Sequence, residues 1–362
     1  MTPRNIHGND RLAPWLCACL LLCCLLPASS LQAQTTVPPQ EINFTDIKRK
    51  ADKGIVEAQY NLGVCYQKGY GVEIDRNEAV SWYTVAAQRG FAMAQYNLGL
   101  CYAEGYGVEK NLVEAARLYR LAAEQGHAKA CYNLGLCYDN GEGVAQDYVE
   151  AVQWYRQAAD SGIYEAAYNL GICCVKGLGM AADSAEAVRL YTMAADSGYV
   201  PAWTALGLLV LERRDTAAYG RAYNYLKAAS IQGDVTAQAS LGLCYYNGYG
   251  VEVRHDSAFF WFNRAAGAGN MEATCNLGVC YQNGQGVAQN EAKAFSLYEK
   301  AARRGNAKAQ YNLGLCYYYG KGVERNPRQA RVWLDTACRS TRLSAAERKD
   351  ANFILNRIEK GL

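Results

Sequence analysis

The chain has 362 residues, of which 51% are hydrophobic and 20% are charged, with 34 glycines and a formal net charge of +3. This balance is typical of a packed protein and argues against a disordered chain. So small a net charge gives no electrostatic footprint for nucleic acid, so no nucleic-acid partner is expected.

The N-terminus has the features of a secretion signal. Arg4 and Arg11 precede an apolar run over residues 12–27, and Ala33 supplies the small residue that a signal peptidase requires. The run is shorter than the ~20 residues needed to span a bilayer. We therefore predict a signal peptide over residues 1–33 and a mature protein that is secreted or held in the periplasm or cell envelope.

Two alternatives to a cleaved signal are less favoured. The same apolar run could serve as a membrane anchor, or the segment around Cys17, which loosely resembles a lipobox, could be lipidated. No other segment is long and apolar enough to be transmembrane. Residues 34–45 contain two prolines and few apolar residues, so they are predicted to form a flexible lead-in.

Internal repetition determines the predicted architecture. A Leu-Gly pair recurs every 35 or 36 residues, a spacing that chance does not produce. The glycines of these pairs are Gly63, Gly99, Gly135, Gly171, Gly207, Gly242, Gly278 and Gly314. Eight tandem repeats of about 36 residues are therefore predicted over residues 46–342, with residues 46–54 capping the start and residues 343–362 forming a C-terminal capping helix.

Each repeat has the pattern of two α-helices joined by a glycine turn. In the first repeat Ala58 and Leu62 share one helical face, and a second periodic run surrounds Tyr83. Between them, Gly69 and Gly71 suit a helix end followed by a turn with positive φ. Capping boxes are predicted at Asp75/Glu78, Asn111/Glu114, Asp147/Glu150, Asp183/Glu186, Asn326/Gln329 and Ser344/Glu347.

This repeat resembles the Sel1-like repeat family, a relative of the tetratricopeptide repeats. The segments AQYNLGVCYQKGYGV and AVSWYTVAAQRG, which start at Ala58 and Ala79, match the family's motif of two helices with a G-x-G-V turn. The resemblance implies an all-α, right-handed α/α superhelical solenoid. It also implies a scaffold or adaptor that binds a protein or peptide in its concave groove. No metal or cofactor is predicted, since no C-x-x-C follows the predicted signal and His127 and His255 are far apart in the sequence. The protein is further predicted to be a monomer without enzymatic activity.

The fifth repeat, near residues 199–233, departs from this pattern. Where its neighbours have G-x-G-V it has residues 211–215 (LERRD), which are one residue shorter and contain no glycine. A local change in superhelical curvature and neutral drift of one repeat both remain open.

Candidate groove residues come from comparing the repeats with one another. The position two before the Leu is Tyr60, Tyr96, Tyr132, Tyr168, Thr204, Ala239, Cys275 and Tyr311. By analogy with tetratricopeptide geometry this position faces the groove, where tyrosines suit peptide binding, although repetition also fits packing between adjacent repeats. The neighbouring asparagines, Asn61, Asn97, Asn133, Asn169, Asn276 and Asn312, could bond a ligand backbone or tie repeats together.

Two further positions vary in chemistry, so we predict that they are exposed and set specificity. The first is occupied by Gln67, Ala103, Asp139, Val175, Leu211, Tyr246, Gln282 and Tyr318. The second is occupied by Lys68, Glu104, Asn140, Lys176, Glu212, Asn247, Asn283 and Tyr319. The predicted partner-binding residues are thus Tyr60, Tyr96, Tyr132, Tyr168, Tyr246, Tyr311, Tyr318 and Tyr319.

Eleven cysteines lie outside the predicted signal, and seven of them share one repeat position. These are Cys65, Cys101, Cys137, Cys173, Cys244, Cys280 and Cys316. Packed helices lie about 10 Å apart, whereas a disulfide needs Cα atoms within about 7 Å, so this ladder is predicted to be small buried side chains. The odd total implies at least one free or intermolecular thiol.

The remaining cysteines are Cys131, Cys174, Cys275 and Cys338. In the cysteine-rich branch of the Sel1-like family, a cysteine at the end of the second helix pairs with one in the next helix. The resemblance implies that this disulfide is broken here, because Ala346 stands opposite Cys338 and Ala123 stands opposite Cys131.

No catalytic pattern is found in the sequence. Only His127 and His255 follow the predicted signal, and no serine has a lysine three positions on. The recurring G-x-G follows a helix, so it is not a phosphate loop. A cell-wall-active hydrolase or penicillin-binding protein of the cysteine-rich branch is the alternative function, and it requires a nucleophile that these patterns do not provide.

Overall fold

The computed structural model describes residues 43–361, which form eighteen α-helices and one short 3₁₀-helix. No β-strand occurs among these residues. They fall into two compact units, residues 43–199 and residues 200–361, which we call the N-terminal unit and the C-terminal unit. The predicted all-α architecture of paired helices is confirmed, while the predicted signal peptide lies outside the described residues.

In the N-terminal unit, α1 precedes four helix pairs. The helices are α1 (Phe44–Asp52), α2 (Val56–Lys68), α3 (Arg76–Gln88), α4 (Ala92–Glu104), α5 (Leu112–Ala123), α6 (Ala128–Asn140), α7 (Tyr148–Asp160), α8 (Tyr164–Lys176) and α9 (Ser184–Asp196). Because α1 begins at Phe44, the last two residues of the predicted lead-in belong to this helix.

The C-terminal unit contains four more pairs and a final helix. The helices are α10 (Val200–Glu212), α11 (Tyr219–Ile231), α12 (Val235–Asn247), α13 (His255–Gly267), α14 (Met271–Asn283), α15 (Glu291–Arg303), α16 (Ala307–Tyr319), α17 (Pro327–Arg339) and α18 (Ala345–Glu359), with the 3₁₀-helix (Thr216–Ala218) before α11. We call the first helix of each pair helix A and the second helix B.

Glycine ends helix A in every repeat except the fifth. Gly69, for example, has a φ of 75°, and its N–H donates to the carbonyl oxygen of Cys65 at 2.8 Å. A residue with a Cβ pays roughly 1–2 kcal/mol in this left-handed conformation. The glycine therefore ends the helix at low conformational cost, as the sequence predicted.

The second glycine of each loop packs against the preceding repeat. A Cβ added to Gly107 would lie 2.3 Å from the carbonyl oxygen of Arg76, the first residue of α3. Equivalent glycines in five other repeats would approach the corresponding carbonyl to 2.1–2.2 Å. In the first repeat α1 takes the place of that helix, because Gly71 lies against Phe44. Consecutive repeats thus meet through backbone atoms.

The predicted N-caps of helix B are correct, but the predicted reciprocal capping boxes are not. The Asp75 side chain accepts hydrogen bonds from the N–H groups of Asn77 and Glu78, both at 3.0 Å. The N–H of Asp75 itself donates to the carbonyl oxygen of Tyr66 at 3.0 Å, so it is not available to Glu78. The same helix-A contact occupies the N-cap N–H in the other four predicted boxes of helix B. A complete box forms only at Ser344 among the predicted positions.

Close helix packing accounts for the Leu-Gly pairs and the cysteine ladder. A Cβ added to Gly63 would lie 2.7 Å from the ring of Tyr83, which is fully buried in the facing helix B. The ladder cysteines are buried except Cys137, which is half-buried, and all eleven described cysteines are free thiols. The prediction that the ladder consists of small buried side chains is confirmed.

The fifth repeat is locally irregular, as its sequence indicated. Arg214 has a φ of 52°, the one positive value at a non-glycine residue between residues 43 and 361. Asp215 caps the 3₁₀-helix by accepting from the N–H of Ala218 at 3.3 Å, and α11 then begins without a side-chain cap. The predicted change of curvature at this repeat stays a prediction.

Helix α18 closes the C-terminal unit. Ile354 is buried, and Leu355 and Ile358 pack against the same cluster. Phe353 does not join this cluster, since it lies on the outer face of the helix and is 61% exposed.

We predict that Gly107→Ala destabilises the protein more than Gly90→Ala does. Both glycines have positive φ, but a Cβ at Gly90 meets no atom within 4 Å, whereas one at Gly107 overlaps a backbone carbonyl. Gly90→Ala should cost about 1 kcal/mol from backbone strain alone, and Gly107→Ala at least about 1 kcal/mol more. Melting followed by circular dichroism measures both, and equal losses would contradict the backbone contact.

A carboxylate lies at the interface between repeats seven and eight. The Oε2 atom of Glu272, a half-buried residue at the start of α14, accepts a hydrogen bond from Nδ2 of Asn306 at 3.0 Å. Burial raises the pKa of Glu272 from 4.5 to about 7, although Lys308 and the bond from Asn306 act in the opposite direction. The folded protein therefore holds this proton more tightly than the unfolded chain does.

Glu272 should make the stability fall as the pH rises from about 4.5 to about 7. Below this window the group is protonated in both states. Within it the unfolded chain ionises while the folded protein keeps its proton, and above it both states are ionised and the accumulated loss stays at about 3 kcal/mol. Glu272→Gln keeps the acceptor oxygen and removes the titration. The melting temperatures of the two proteins should agree near pH 4.5, and the variant should be the more stable at pH 8. Parallel curves at all pH values would contradict the assignment.

Candidate partner-binding surface

The tyrosine row is built into the contacts between repeats. Tyr60 is 1% exposed, and its ring lies 5.3 Å from that of Phe91, the residue that precedes the next helix A. His127 stacks on Tyr96 in the same way at 4.6 Å. Tyr168 and Tyr311 are also buried, while Tyr96 and Tyr132 are half-buried. The rings of this row pack between adjacent repeats, which was the second of the two roles considered for them. Most of them are buried and so are not accessible to a ligand.

Hydrogen bonds strengthen the same contacts. Nδ2 of Asn97 donates to the hydroxyl of Tyr60 at 3.3 Å, and Nδ2 of Asn312 approaches Sγ of Cys275 at 3.8 Å. Each bond joins helix A of one repeat to helix A of the repeat before it. The asparagine row thus ties repeats together, which was one of the two roles proposed for it.

A glutamine row that the sequence reasoning missed has a related role. Nε2 of Gln95 donates to the carbonyl oxygen of Ala87 at 3.2 Å, near the C-terminal end of the preceding helix B. Equivalent bonds come from Gln59, Gln238 and Gln310. Because such carbonyls have no partner within their own helix, the recurrence of glutamine eight residues later was the available signal.

The first variable position is not exposed, and the prediction that it sets specificity is wrong. Its side chain faces helix B of its own repeat. The hydroxyls of the helix-B tyrosines donate to it at 2.7–3.0 Å, in the pairs Tyr83 with Gln67, Tyr155 with Asp139 and Tyr298 with Gln282. Where helix B carries Phe262, Leu226 or Leu334 instead, the position holds Tyr246, Leu211 or Tyr318, all buried. In these six repeats the position compensates for its partner in helix B, whereas in repeat two Ala103 stands opposite Tyr119 and has no acceptor to offer.

Repeat four breaks this pairing. Tyr191 is fully buried, and its hydroxyl has no hydrogen-bond partner. Val175, which stands at the variable position of this repeat, has no polar atom to accept the bond. Burial raises the pKa of Tyr191, so the hydroxyl stays protonated.

Among the eight predicted binding residues, Tyr319 offers the largest exposed surface, at 54%. Its ring packs edge-on against Tyr318, with 4.8 Å between ring centroids. Arg325 lies over the other ring at 5.7 Å and donates to the carbonyl oxygen of Tyr318 at 3.1 Å. Tyr246 and Tyr318 are 5% and 6% exposed, so their predicted place on the binding surface is not supported.

Positive charge is concentrated in the last repeats. From Glu291 to Lys360 the chain has fifteen basic and seven acidic residues, although the whole protein carries only +3. Arg331 bonds Glu359 at 3.2 Å, which brings α17 and α18 side by side. Their exposed faces carry Arg328, Val332 and Arg339 on α17 and Lys349, Phe353 and Arg357 on α18, which we call the C-terminal basic surface. Counting charge by repeat would have revealed it from sequence.

Both histidines in the described part of the chain make contacts within the fold. Within residues 43–361 no group of three or more His, Cys, Asp or Glu side chains could hold a metal ion. His127 caps α6 by accepting from the N–H of Ala130 at 3.2 Å, and burial lowers its pKa. His255 lies edge-on to Tyr246 at the start of α13. None of the helices in this part of the chain has both the length and the hydrophobicity to cross a membrane.

A family model described as "Sel1 repeat" matches seven segments of the chain. They are residues 56–91, 92–127, 128–163, 165–199, 235–270, 272–306 and 307–341. This chain belongs to the Sel1 repeat family. The unmatched stretch between the fourth and fifth of these segments contains α10 and α11, so the irregular repeat keeps its helix pair while departing from the family's sequence pattern.

Solved Sel1 repeat structures agree with this assignment. The chain is 32% identical to c5321, a protective antigen present in uropathogenic Escherichia coli strains and displaying an SLR fold, with 88% of this chain and 79% of that chain covered and a TM-score of 0.60. It is 25% identical to a Sel1 repeat protein from Oxalobacter formigenes, with 92% and 99% covered and a TM-score of 0.59. A search of curated proteins found no match.

We predict that Tyr191→Phe stabilises this Sel1 repeat protein. The change removes a buried hydroxyl that has no partner, which should raise the free energy of unfolding by about 1 kcal/mol or more. The matched control is Tyr155→Phe, which breaks the 2.9 Å bond to Asp139 and should cost about 1–3 kcal/mol. Shifts of the melting temperature in opposite directions are expected, and a loss of stability in both variants would contradict the pairing.

Proposed function

We propose that this protein is an exported scaffold that binds an acidic protein or peptide partner on the C-terminal basic surface. Sel1 repeat proteins are typical protein–protein interaction scaffolds. The observation that carries the proposal is that α17 and α18, which meet through Arg331 and Glu359, both expose basic residues and also expose Val332, at 56%, and Phe353, at 61%. Aromatic and arginine side chains contribute most to the free energy of binding at protein interfaces.

Charge and hydrophobic surface have separate roles in this proposal. The excess of basic residues attracts an acidic partner and speeds its encounter, an effect that falls as salt is added. Phe353 then loses its exposed apolar area on contact, which stabilises the complex. Tyr319, at the end of α16 in the same repeat, is a second contact candidate because it is the largely exposed member of the predicted groove set.

Export is the second part of the proposal. It rests on the basic residues, apolar run and Ala33 at the N-terminus, and it places the partner in the cell envelope or outside the cell.

Site-specific photo-crosslinking in living cells tests the proposal. A photoreactive amino acid at Phe353 or Arg328 should give the same protein adduct in the envelope or secreted fraction, and Tyr319 should give it if the surface extends to α16. The matched control is Val113, which is 67% exposed in the N-terminal unit and should give no adduct with this partner.

The purified partner then provides a quantitative measurement. The double variant Arg328→Glu with Arg357→Glu should weaken binding at least tenfold, since it reverses two charges on the surface, and the affinity of the unaltered protein should fall with added salt. An adduct at Val113 with none at Phe353, or an adduct confined to the cytoplasm, would refute the proposal.

A further inference from the structure

Two departures from the repeat pattern occur together in the fourth repeat. Cys174 stands where six other repeats have tyrosine, namely Tyr66, Tyr102, Tyr138, Tyr245, Tyr281 and Tyr317. Met180 stands where six others have valine, namely Val72, Val108, Val144, Val251, Val287 and Val323. Both exceptions therefore replace a residue without sulfur by a residue with sulfur.

The two sulfur atoms are in direct contact. Sγ of Cys174 lies 3.6 Å from Sδ of Met180, and the cysteine is a free thiol. Cys174 is fully buried at the end of α8, whereas Met180, in the loop that follows, is half-buried. The thioether therefore separates the thiol from solvent.

The backbone holds this pair in place. The N–H of Asp183 donates to the carbonyl oxygen of Cys174 at 2.9 Å, which closes the loop over the helix end. Gly179, next to Met180, packs so tightly that a Cβ would lie 2.2 Å from the carbonyl oxygen of Tyr148. The loop is thus fixed on both sides of the methionine, and only its side chain is free to adjust.

Packing alone does not require sulfur at either position. Replacing tyrosine by cysteine removes a ring, and a longer side chain in the loop fills part of that volume, but leucine or isoleucine would do so equally well. A thiol beside a thioether adds two soft donors, the ligand type that selects Cu(I) among biological metal ions. We propose that Cys174 and Met180 form a binding site for a single Cu(I) ion.

Binding requires small changes. The thiol gives up its proton to solvent, the thiolate sulfur bonds the cation, and the thioether supplies the second bond, so the pair gains one cation and loses one proton. Two metal–sulfur bonds of about 2.3 Å span at most about 4.6 Å, so the sulfurs need separate by only about 1 Å. The unbranched methionine side chain can provide this movement.

Four charged groups surround the thiol. Asp183 and Glu186 favour a cation beside Cys174, whereas Arg156 and Arg189 oppose it. Arg189 is paired with Glu186 at 2.8 Å. A proton competes with the metal for the thiolate sulfur, so the affinity should increase with pH.

Competition with a Cu(I) chelator tests the site. The purified protein, loaded anaerobically with Cu(I) in the presence of ascorbate, is titrated with bicinchoninate. We expect the protein to retain one Cu(I), and X-ray absorption should show sulfur as its ligand. Met180→Leu, which keeps the volume and removes the thioether, should weaken retention at least tenfold, and Cys174→Ser should abolish it while leaving the other described thiols in place.

Met93→Leu is the matched control, since Met93 packs in a different apolar cluster. It should retain Cu(I) as the unaltered protein does. Circular dichroism verifies that each variant is folded. Retention by Met180→Leu equal to that of the unaltered protein would show that Met180 only packs, and an unaltered protein that retains no Cu(I) would overturn the site directly.

Discussion

Neighbouring repeats meet at a point where there is no room for a side chain. The second loop glycine of one repeat faces the carbonyl oxygen of the first helix-B residue in the repeat before it, at a distance where any Cβ would overlap. This contact recurs from loop to loop, so it restrains the separation of the helices around it. The Leu-Gly pair acts in the same way within a repeat, because Gly63 and its equivalents admit a ring or a leucine from helix B. Side chains elsewhere must fit the space that these glycines define.

That constraint accounts for much of the variation between repeats. Tyrosines in helix B that have an acceptor in helix A of the same repeat donate to it, as Tyr83 does to Gln67 and Tyr298 does to Gln282. A phenylalanine or leucine has no hydroxyl, and an apolar or aromatic side chain then fills the space. Interiors are packed densely enough that such exchanges come in pairs. Tyr191 is an exception, since its buried hydroxyl has no hydrogen-bond partner and Val175 stands where an acceptor would be.

The helices could be predicted because their ends require particular local conformations. The exposure of individual side chains could not be predicted, because it depends on contacts between residues that are distant in the sequence. Asp75 and Gly69 reveal a helix start and a helix end because few other residues suit those conformations. Tyr318 and Tyr319 are neighbours of identical chemistry, yet one is 6% exposed and the other 54%. The difference depends on which side of α16 faces Leu334, and the helical period alone does not specify that side. Variation at one position from repeat to repeat was misleading as a sign of exposure. A position varies in a single sequence when its side chain faces solvent, and it also varies when its side chain must match a changing partner in the next helix.

The two ends of the described chain differ in a way that packing does not require. A terminal helix of a repeat array has one face that no further repeat covers, and a polar outer face keeps such an end soluble. Helix α1 follows this rule, with Lys48, Arg49 and Lys50 exposed. Helix α18 is also basic, but it carries Phe353, whose ring is exposed and does not pack in the apolar cluster below the helix. An exposed aromatic residue on a cap favours aggregation unless something covers it, and surrounding positive charge limits self-association while attracting acidic surfaces. The composition of this face therefore suits a docking surface better than it suits a cap alone.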